Sequence, residues 1–203
     1  MKTLLILSSI SILLLAVSCS FFDPRDPEYP NPNDDIPWYQ PYAPSTVVLN
    51  LSNSFEGRSI SMFMACCDSS YMFLADDADI AEYSWDFSNW DYEVEQNTVL
   101  NIFAAVEGSG FPDSTKASFI MSTVAEFPDP VAPSDSAEIF RDYEIVAAGS
   151  EYCGWDNPAR GRVIFLMIED NYGLWSIKRW SDYRHGDYTE EHYTWGAAKA
   201  SYR

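Results

Sequence analysis

The chain has 203 residues, a formal net charge of −19, 47% apolar residues and 16% aromatics. That apolar and aromatic share is enough to build a core and excludes an intrinsically disordered chain. Only 12 Lys and Arg stand against 31 Asp and Glu, which excludes a nucleic-acid binder and a basic patch held on anionic lipid, since both need clustered cations.

The first segment has one cation, Lys2, before an apolar run from Leu4 to Val17 that is broken by Ser8, Ser9 and Ser11. The run is too short for a membrane span, which takes about 20 apolar residues. Ala16, Val17 and Ser18 lead up to Cys19, and charge, short apolar core and small residues are the layout of a cleaved secretory signal. The segment resembles the lipobox of bacterial lipoproteins, with Ala16 where Leu is usual. The resemblance implies that residues 1–18 are removed, that Cys19 is diacylated, and that the chain is held to a membrane by its N-terminal lipid. Acyl chains anchor stably because each buried methylene contributes about 0.8 kcal/mol. Ser20 stands where a sorting aspartate would, which by the same resemblance implies the outer membrane of a diderm cell envelope.

Residues 19–43 carry a proline every few positions. Proline lacks an N–H and locks φ, so neither helix nor sheet runs through. The segment reads as a semi-rigid spacer whose end, Trp38, Tyr39 and Tyr42, packs on one folded domain spanning 44–203. Ser45 is positioned to cap a first helix with Val48, Leu51 and Phe55 on one face, and Gly57 suits its C′ position. Ser59 or Ser61 starts a second helix with Ile60, Phe63, Met64 and Cys67 inward, ended by Asp68-Ser69-Ser70. Tyr71–Leu74 is a brief extended segment, and Asp76–Asp86 an acidic loop. A third helix runs from Asp91 to Val106, capped by Asp91 or Asn89. Glu93 and Glu95 suit its first turn, and Val99, Leu100, Phe103 and Val106 form its buried stripe.

The period then changes to two. Ala117 to Phe127 alternates as a half-buried strand. Pro128–Ser136 is a turn, Glu138–Ala148 a strand, and Ser150–Pro158 a loop. Arg162–Glu169 is the most apolar strand and reads as central. Asn171-Tyr172-Gly173 is a tight turn into a return strand, Leu174–Asp182. The tail, Tyr193–Arg203, covers a sheet edge. No internal repeat is visible.

Three short helices followed by an antiparallel meander is the element order of the nuclear transport factor 2-like cone fold. Pro44-Ser45 leading to Phe55, then Ile60 through Phe63 to Tyr71 and Phe73, resembles that family's opening helix pair and first strand. Trp90 with Glu93 to Phe103 resembles its third helix. Gly173-Leu174-Trp175-Ser176-Ile177-Lys178-Arg179-Trp180-Ser181-Asp182 resembles the closing hairpin of its exported bacterial members. The resemblance implies an α+β fold, with three N-terminal helices packed on a curved antiparallel sheet. It also implies an apolar pocket at the open end of the cone, for which Phe63, Trp90, Tyr143, Trp175 and Trp180 are the candidate lining. Family members use that pocket as an isomerase, dehydratase or epoxide hydrolase site, as a ligand bin, or not at all, so fold does not give function.

Chemistry is sparse. The superfamily's enzymes place an Asp, His or Tyr in the pocket, but none aligns onto a specific position here. His185 and His192 lie in a polar stretch that reads as a surface loop. Asp76, Asp77, Asp79 and Glu82 lack the alternating oxygens, glycine and distal glutamate of a calcium loop and read as solvated. Asp182 ends its strand and reads as a backbone hydrogen-bonding residue. Cys66 or Cys67 bridges Cys153, or all three are buried thiols; their spacing is not that of a zinc site. Trp175 and Trp180 lie an odd number of residues apart and so face opposite sides of a strand. No Gly-x-Ser-x-Gly, phosphate loop, His-Glu-x-x-His or cofactor motif is present. The sequence therefore reads as a membrane-anchored binding domain of the cell envelope, non-enzymatic, taking an apolar small ligand or an envelope protein. The alternatives are a cone-pocket hydrolase, isomerase or dehydratase, and an envelope structural or assembly factor that pairs as a homodimer.

Overall fold

Pro44 opens the first helix because its fixed φ suits the first helical position and its missing N–H needs no partner there. The structure, a computed structural model, describes residues 36–83, 87, 89–108, 117–147, 158–184 and 193–202. Its elements run α1 (Pro44–Glu56), α2 (Ile60–Ala65), β1 (Cys67–Leu74), α3 (Asp77–Tyr83), α4 (Tyr92–Gly108), β2 (Ala117–Thr123), β3 (Ser136–Ala147), β4 (Ala159–Glu169), β5 (Trp175–Tyr183) and α5 (Trp195–Ala200). The expected signal segment, Cys19, most of the expected spacer, Cys153, His185 and His192 lie outside the described residues. No described helix is long and apolar enough to cross a membrane.

Ala43, not Ser45, is the N-cap of α1, and no side chain caps it. Val47, Val48, Leu51 and Phe55 form its buried stripe. The left-handed residue at its end is Arg58 (φ 52°), while Gly57 keeps a right-handed φ of −80°. Gly57 answers to space instead: a Cβ there would stand 1.9 Å from Ile36 Cδ1, so the incoming chain crosses the helix end only over a glycine. That incoming chain is tied down. Asn50 Oδ1 accepts the Tyr39 N–H at 3.0 Å, Pro41 O accepts the Trp175 N–H at 2.8 Å, and Trp38 packs on the core.

Ser59 caps α2 by accepting the Met62 N–H. The helix is shorter than the pattern suggests, because Cys67 already begins β1 and Asp68-Ser69-Ser70 lie within that strand. Cys66 and Cys67 are buried free thiols, directed at the carbonyls of Met62 and Phe63. The expected acidic loop contains α3, whose start Asp76 braces by accepting the Ala78 N–H. Asp91 Oδ1 caps α4, accepting the N–H groups of Glu93 and Val94 at 3.1 Å each. Leu100 lies off the buried stripe and is half-exposed; Glu95, Thr98, Val99, Ile102, Phe103 and Val106 are the buried positions.

The sheet order is β1-β5-β4-β3-β2, with the apolar β4 at its centre, as its composition suggests. β2 through β5 are antiparallel neighbours, but β1 joins β5 in parallel, so the sheet is mixed rather than wholly antiparallel. No hairpin sets the direction of β1, because two helices and three strands separate it in sequence from β5. β2 ends at Thr123, and Phe127 leaves it to stack on Phe140 with ring centroids 4.4 Å apart. The β4–β5 turn is the expected one: Asp170 Oδ1 accepts the N–H groups of Tyr172 and Leu174, and Gly173 takes φ +77°.

Two departures shape the interior. In β5, Ile177 pairs with Met167 while Arg179 pairs with Leu166, so one extra residue is inserted at Lys178. This β-bulge shifts the side-chain alternation by one. Trp175, Ile177 and Trp180 therefore all face the core, not opposite sides, and each is buried. The tail does not cover an edge. It folds into α5, whose Trp195, Ala198 and Ala200 belong to the main apolar core.

Candidate functional site

The interior site begins with a glycine. Gly161 on β4 pairs with Tyr143 on β3, and a Cβ at 161 would stand 2.5 Å from the Tyr143 hydroxyl oxygen. The empty space above Gly161 lets the Tyr143 ring lie across β4 and reach β5. There its hydroxyl donates to Asp182 Oδ1 at 2.7 Å. Asp182 Oδ2 accepts the Gly196 N–H at 2.7 Å, and the Tyr143 oxygen accepts the Trp195 N–H at 2.7 Å. Thr194 caps α5, accepting the Ala197 N–H at 3.0 Å, while its hydroxyl donates to Asp79 Oδ2. The first N–H groups of a helix have no partner within it. Here those of α5 are satisfied by Tyr143, Asp182 and Thr194.

Two carboxylates thus meet at the start of α5. A Cβ on Gly196 would lie 3.2 Å from Asp79 Oδ2 and 3.4 Å from Asp182 Oδ2. Burial pushes Asp182 up to about 7 from its ordinary 3.8, against the lowering effect of its bonds to Tyr143 and Gly196. Burial also raises Asp79, opposed by Thr194 and Arg184. Arg184 holds Asp79 Oδ1 at 2.8 Å through Nε and reaches Glu82 at 2.5 Å. Burial and the adjoining Asp182 raise Tyr143 well above its usual value.

One helical turn on, Lys199 enters the core. Its side chain and that of Glu95 are both wholly buried, and Nζ lies 2.7 Å from Glu95 Oε2. Trp90 Nε1 donates to the same oxygen at 2.7 Å. The ammonium stands 3.4 Å from the centroid of the Phe73 ring, 4.9 Å from Trp180, 5.3 Å from Trp195 and 5.6 Å from Trp90. Burial lowers Lys199, and Glu95 opposes the shift. A desolvated cation over a ring gains about 2 kcal/mol or more, which offsets part of the dehydration of the charge. Glu95 Oε1 and the Tyr71 hydroxyl are buried without a regular hydrogen bond among the described residues. The Tyr71 hydroxyl is nevertheless close enough to Glu95 to be raised by it.

Of the five expected lining residues, Phe63, Trp90, Tyr143, Trp175 and Trp180 are all buried. Tyr143 joins the Asp182 network, Trp90 and Trp180 join the cage around Lys199, and Phe63 packs edge-on to Phe103. Trp175 also borders a groove of about 330 Å³ with Tyr42, Val131 and Glu169. Trp90 borders another of about 500 Å³ with Ser70, Met72 and Asn89. Among the acidic residues read as solvated, Asp79 is wholly buried, because Arg184 and Thr194 stand in for water. The described residues contain no cluster of three or more potential metal ligands.

Sequence placed Glu95 only as a first-turn charge and gave Lys199 no reading, although a signal existed. Glu95 is in helical phase with Val99, Ile102 and Val106, and Lys199 lies four residues after Trp195. A charged residue on an apolar stripe needs a buried partner.

No protein-family model matches the chain, and no curated protein matches it. Solved structures do. A candidate scytalone dehydratase from Novosphingobium aromaticivorans aligns at 11% identity over 74% of this chain and 88% of its own, with a TM-score of 0.50. A function-unknown protein from Mycobacterium tuberculosis aligns at 8% identity over 77% and 80%, with a TM-score of 0.50. An NTF-2-like protein of unknown function from Shewanella oneidensis aligns at 8% identity over 68% and 93%, with a TM-score of 0.40. At such identities the likeness concerns the fold alone: α+β, of the nuclear transport factor 2-like cone type.

Proposed function

With the shared cone fold as premise, we propose that this chain is a lipid-anchored domain of the cell envelope that binds rather than catalyses. One observation carries the reading. Asp182 and Tyr143, the buried carboxyl–hydroxyl pair of the interior, are committed to the backbone of α5. Trp195 and Lys199 fill the space beside them. The tether is supported by the layout around Cys19 and by the proline spacer, which holds the domain off a bilayer. Binding of an envelope protein then falls to the outer surface. A second copy is one such partner, since Phe140, Ile164 and Leu166 lie half-exposed on the outward face of β3 and β4.

The test compares the full chain with Cys19→Ser in cells given labelled palmitate, with cross-linking and mass identification of products. The expected result is label and membrane association that Cys19→Ser abolishes, and a discrete cross-linked species containing an envelope protein or a second copy. Label or membrane association that survives Cys19→Ser, or a chain that stays uncross-linked, overturns the reading.

A second reading, a cone-pocket isomerase or dehydratase, is favoured by one feature. A carboxyl near 7 beside a tyrosine is suited to exchanging protons near neutrality. It requires α5 to leave the interior. Turnover of a carbonyl or hydroxyl substrate that Asp182→Asn abolishes would establish it.

A further inference from the structure

We propose that Lys199 and Glu95 are the site of a self-made covalent modification: after folding they condense to an isopeptide bond, Lys199 Nζ to Glu95 Cδ, that fastens α5 to α4. The proposal stands on the geometry of the pair and does not depend on what the domain binds.

The reacting groups are already in contact. Nζ lies 2.7 Å from Glu95 Oε2, and both side chains are wholly buried. Among the described residues this oxygen is the hydrogen-bond acceptor of Nζ. The other neighbours of Nζ are the rings of Phe73, Trp90, Trp180 and Trp195, which exclude water. Trp90 Nε1 donates to the same Oε2 at 2.7 Å and so fixes the carboxyl. The partners are 104 positions apart in the chain, yet the fold holds them side by side. Amine and carboxyl held in this way react as parts of one molecule, without the cost of bringing two together.

The surroundings favour an amide over an ion pair. Two buried charges carry a desolvation penalty that a neutral amide does not. Packing alone does not call for the pair either. A buried ion pair is commonly replaced by apolar side chains of similar volume without loss of stability, so a Met or Leu at 199 would serve the core as well. Burial lowers Lys199, opposed by Glu95, Asp182 and Cys67, and the lowering favours the free amine that attack requires. Burial and the adjoining Glu95 raise Tyr71, so its hydroxyl keeps its proton beside a carboxyl whose Oε1 has no regular hydrogen bond.

The step balances without a co-reactant. A proton passes from Nζ to Oε2 along their hydrogen bond, leaving a neutral amine and a carboxylic acid. The nitrogen lone pair then forms the bond to Cδ while the π pair of the C=O bond moves onto Oε1. The Tyr71 hydroxyl is the protonated donor available to stabilise that oxyanion. When the C=O bond to Oε1 re-forms, the Cδ–Oε2 bond breaks, and Oε2 takes a second proton from Nζ and leaves as water. The nitrogen keeps one hydrogen, and nothing is oxidised or reduced. The ion pair is thus the reactant. The product closes a ring of chain from α4 to the tail, which restricts the unfolded state as a disulfide does.

The experiment uses the full chain, denatured and digested with a lysine-specific protease directly after purification and again after prolonged incubation of the folded protein. The expected product joins the segments holding Glu95 and Lys199, is lighter than the two together by one water, and is uncut after residue 199. It accumulates with incubation, is absent from Lys199→Met, and comes with a higher melting temperature. Separate segments cut after Lys199 at every time point overturn the proposal, as does a linked product joined through any other residues. Should Lys199→Met fail to fold, fragmentation of the linked product in a mass spectrometer maps the joined residues and takes the place of that control.

Discussion

Replacing Asp182 by Asn tests the interior network through its dependence on pH. In the folded chain the Asp182 carboxyl titrates at about 7 rather than 3.8. A carboxyl whose folded value is raised keeps its proton in the folded state after the unfolded chain has lost it. Its contribution is therefore complete below pH about 4 and is lost as pH rises to about 7. The shift spans about 3 pH units, and each unit is worth about 1.4 kcal/mol, so ionising buried Asp182 removes about 4 kcal/mol of stability across that window. Asn holds the same volume without a charge. Its carbonyl can accept the Gly196 N–H, while the acceptor for the Tyr143 hydroxyl is lost, at about 1 kcal/mol. Asp79 is raised as well, so some slope of the same sign remains. The assay is urea unfolding of both proteins at a series of pH values, read as the difference between the two curves. At low pH the variant should be the weaker by about 1 kcal/mol. By neutrality it should equal or exceed the unaltered chain. Two curves that run parallel from pH about 4 to about 7 would refute the assignment of this titration to Asp182.

Glu95→Gln leaves Lys199 buried without its counter-charge and should cost about 3–5 kcal/mol in denaturant unfolding. Adding Lys199→Met to that variant should restore most of the loss, and a double variant no more stable than Glu95→Gln alone refutes the pairing. Gly161→Ala drives a Cβ against the Tyr143 hydroxyl and to 2.7 Å from the Tyr183 carbonyl. It should cost about 1–3 kcal/mol, and an unchanged melting temperature refutes the close approach. Burial raises Cys66 and Cys67 far above the usual thiol range. Neither should react with a thiol-specific disulfide reagent until denaturant is added, and prompt reaction in the folded chain refutes their placement.

Much of the architecture was legible in local pattern, and its failures have identifiable causes. Ser59 and Asp91 cap helices as their residue types suggest, because a cap involves only the next few N–H groups. The Asp170–Gly173 turn is local for the same reason, and the apolar run Arg162–Glu169 lies at the centre of the sheet. The opposed faces expected for Trp175 and Trp180 failed at a bulge, since counting alternation assumes an unbroken ladder. The parallel entry of β1 escaped because strand direction is set by a neighbour roughly a hundred positions away, beyond the reach of any pattern rule. Asp79 read as solvated because its partners, Arg184 and Thr194, are distant in the chain, whereas the burial of Glu95 and Lys199 was marked only by their phase with apolar neighbours, which does not name the partner.

Sequence by itself determined the acidic character, the helices-then-strands order and most apolar positions, because these depend on residue type and spacing. Tertiary structure alone decided that the tail enters the cone, that Asp182 and Tyr143 hold its backbone, and that Lys199 sits among four rings against Glu95. The physical reason is desolvation. Removing a charge from water is costly, so a buried one is tolerated only beside a specific partner, and which residues become partners is settled by the packing of elements far apart in the chain.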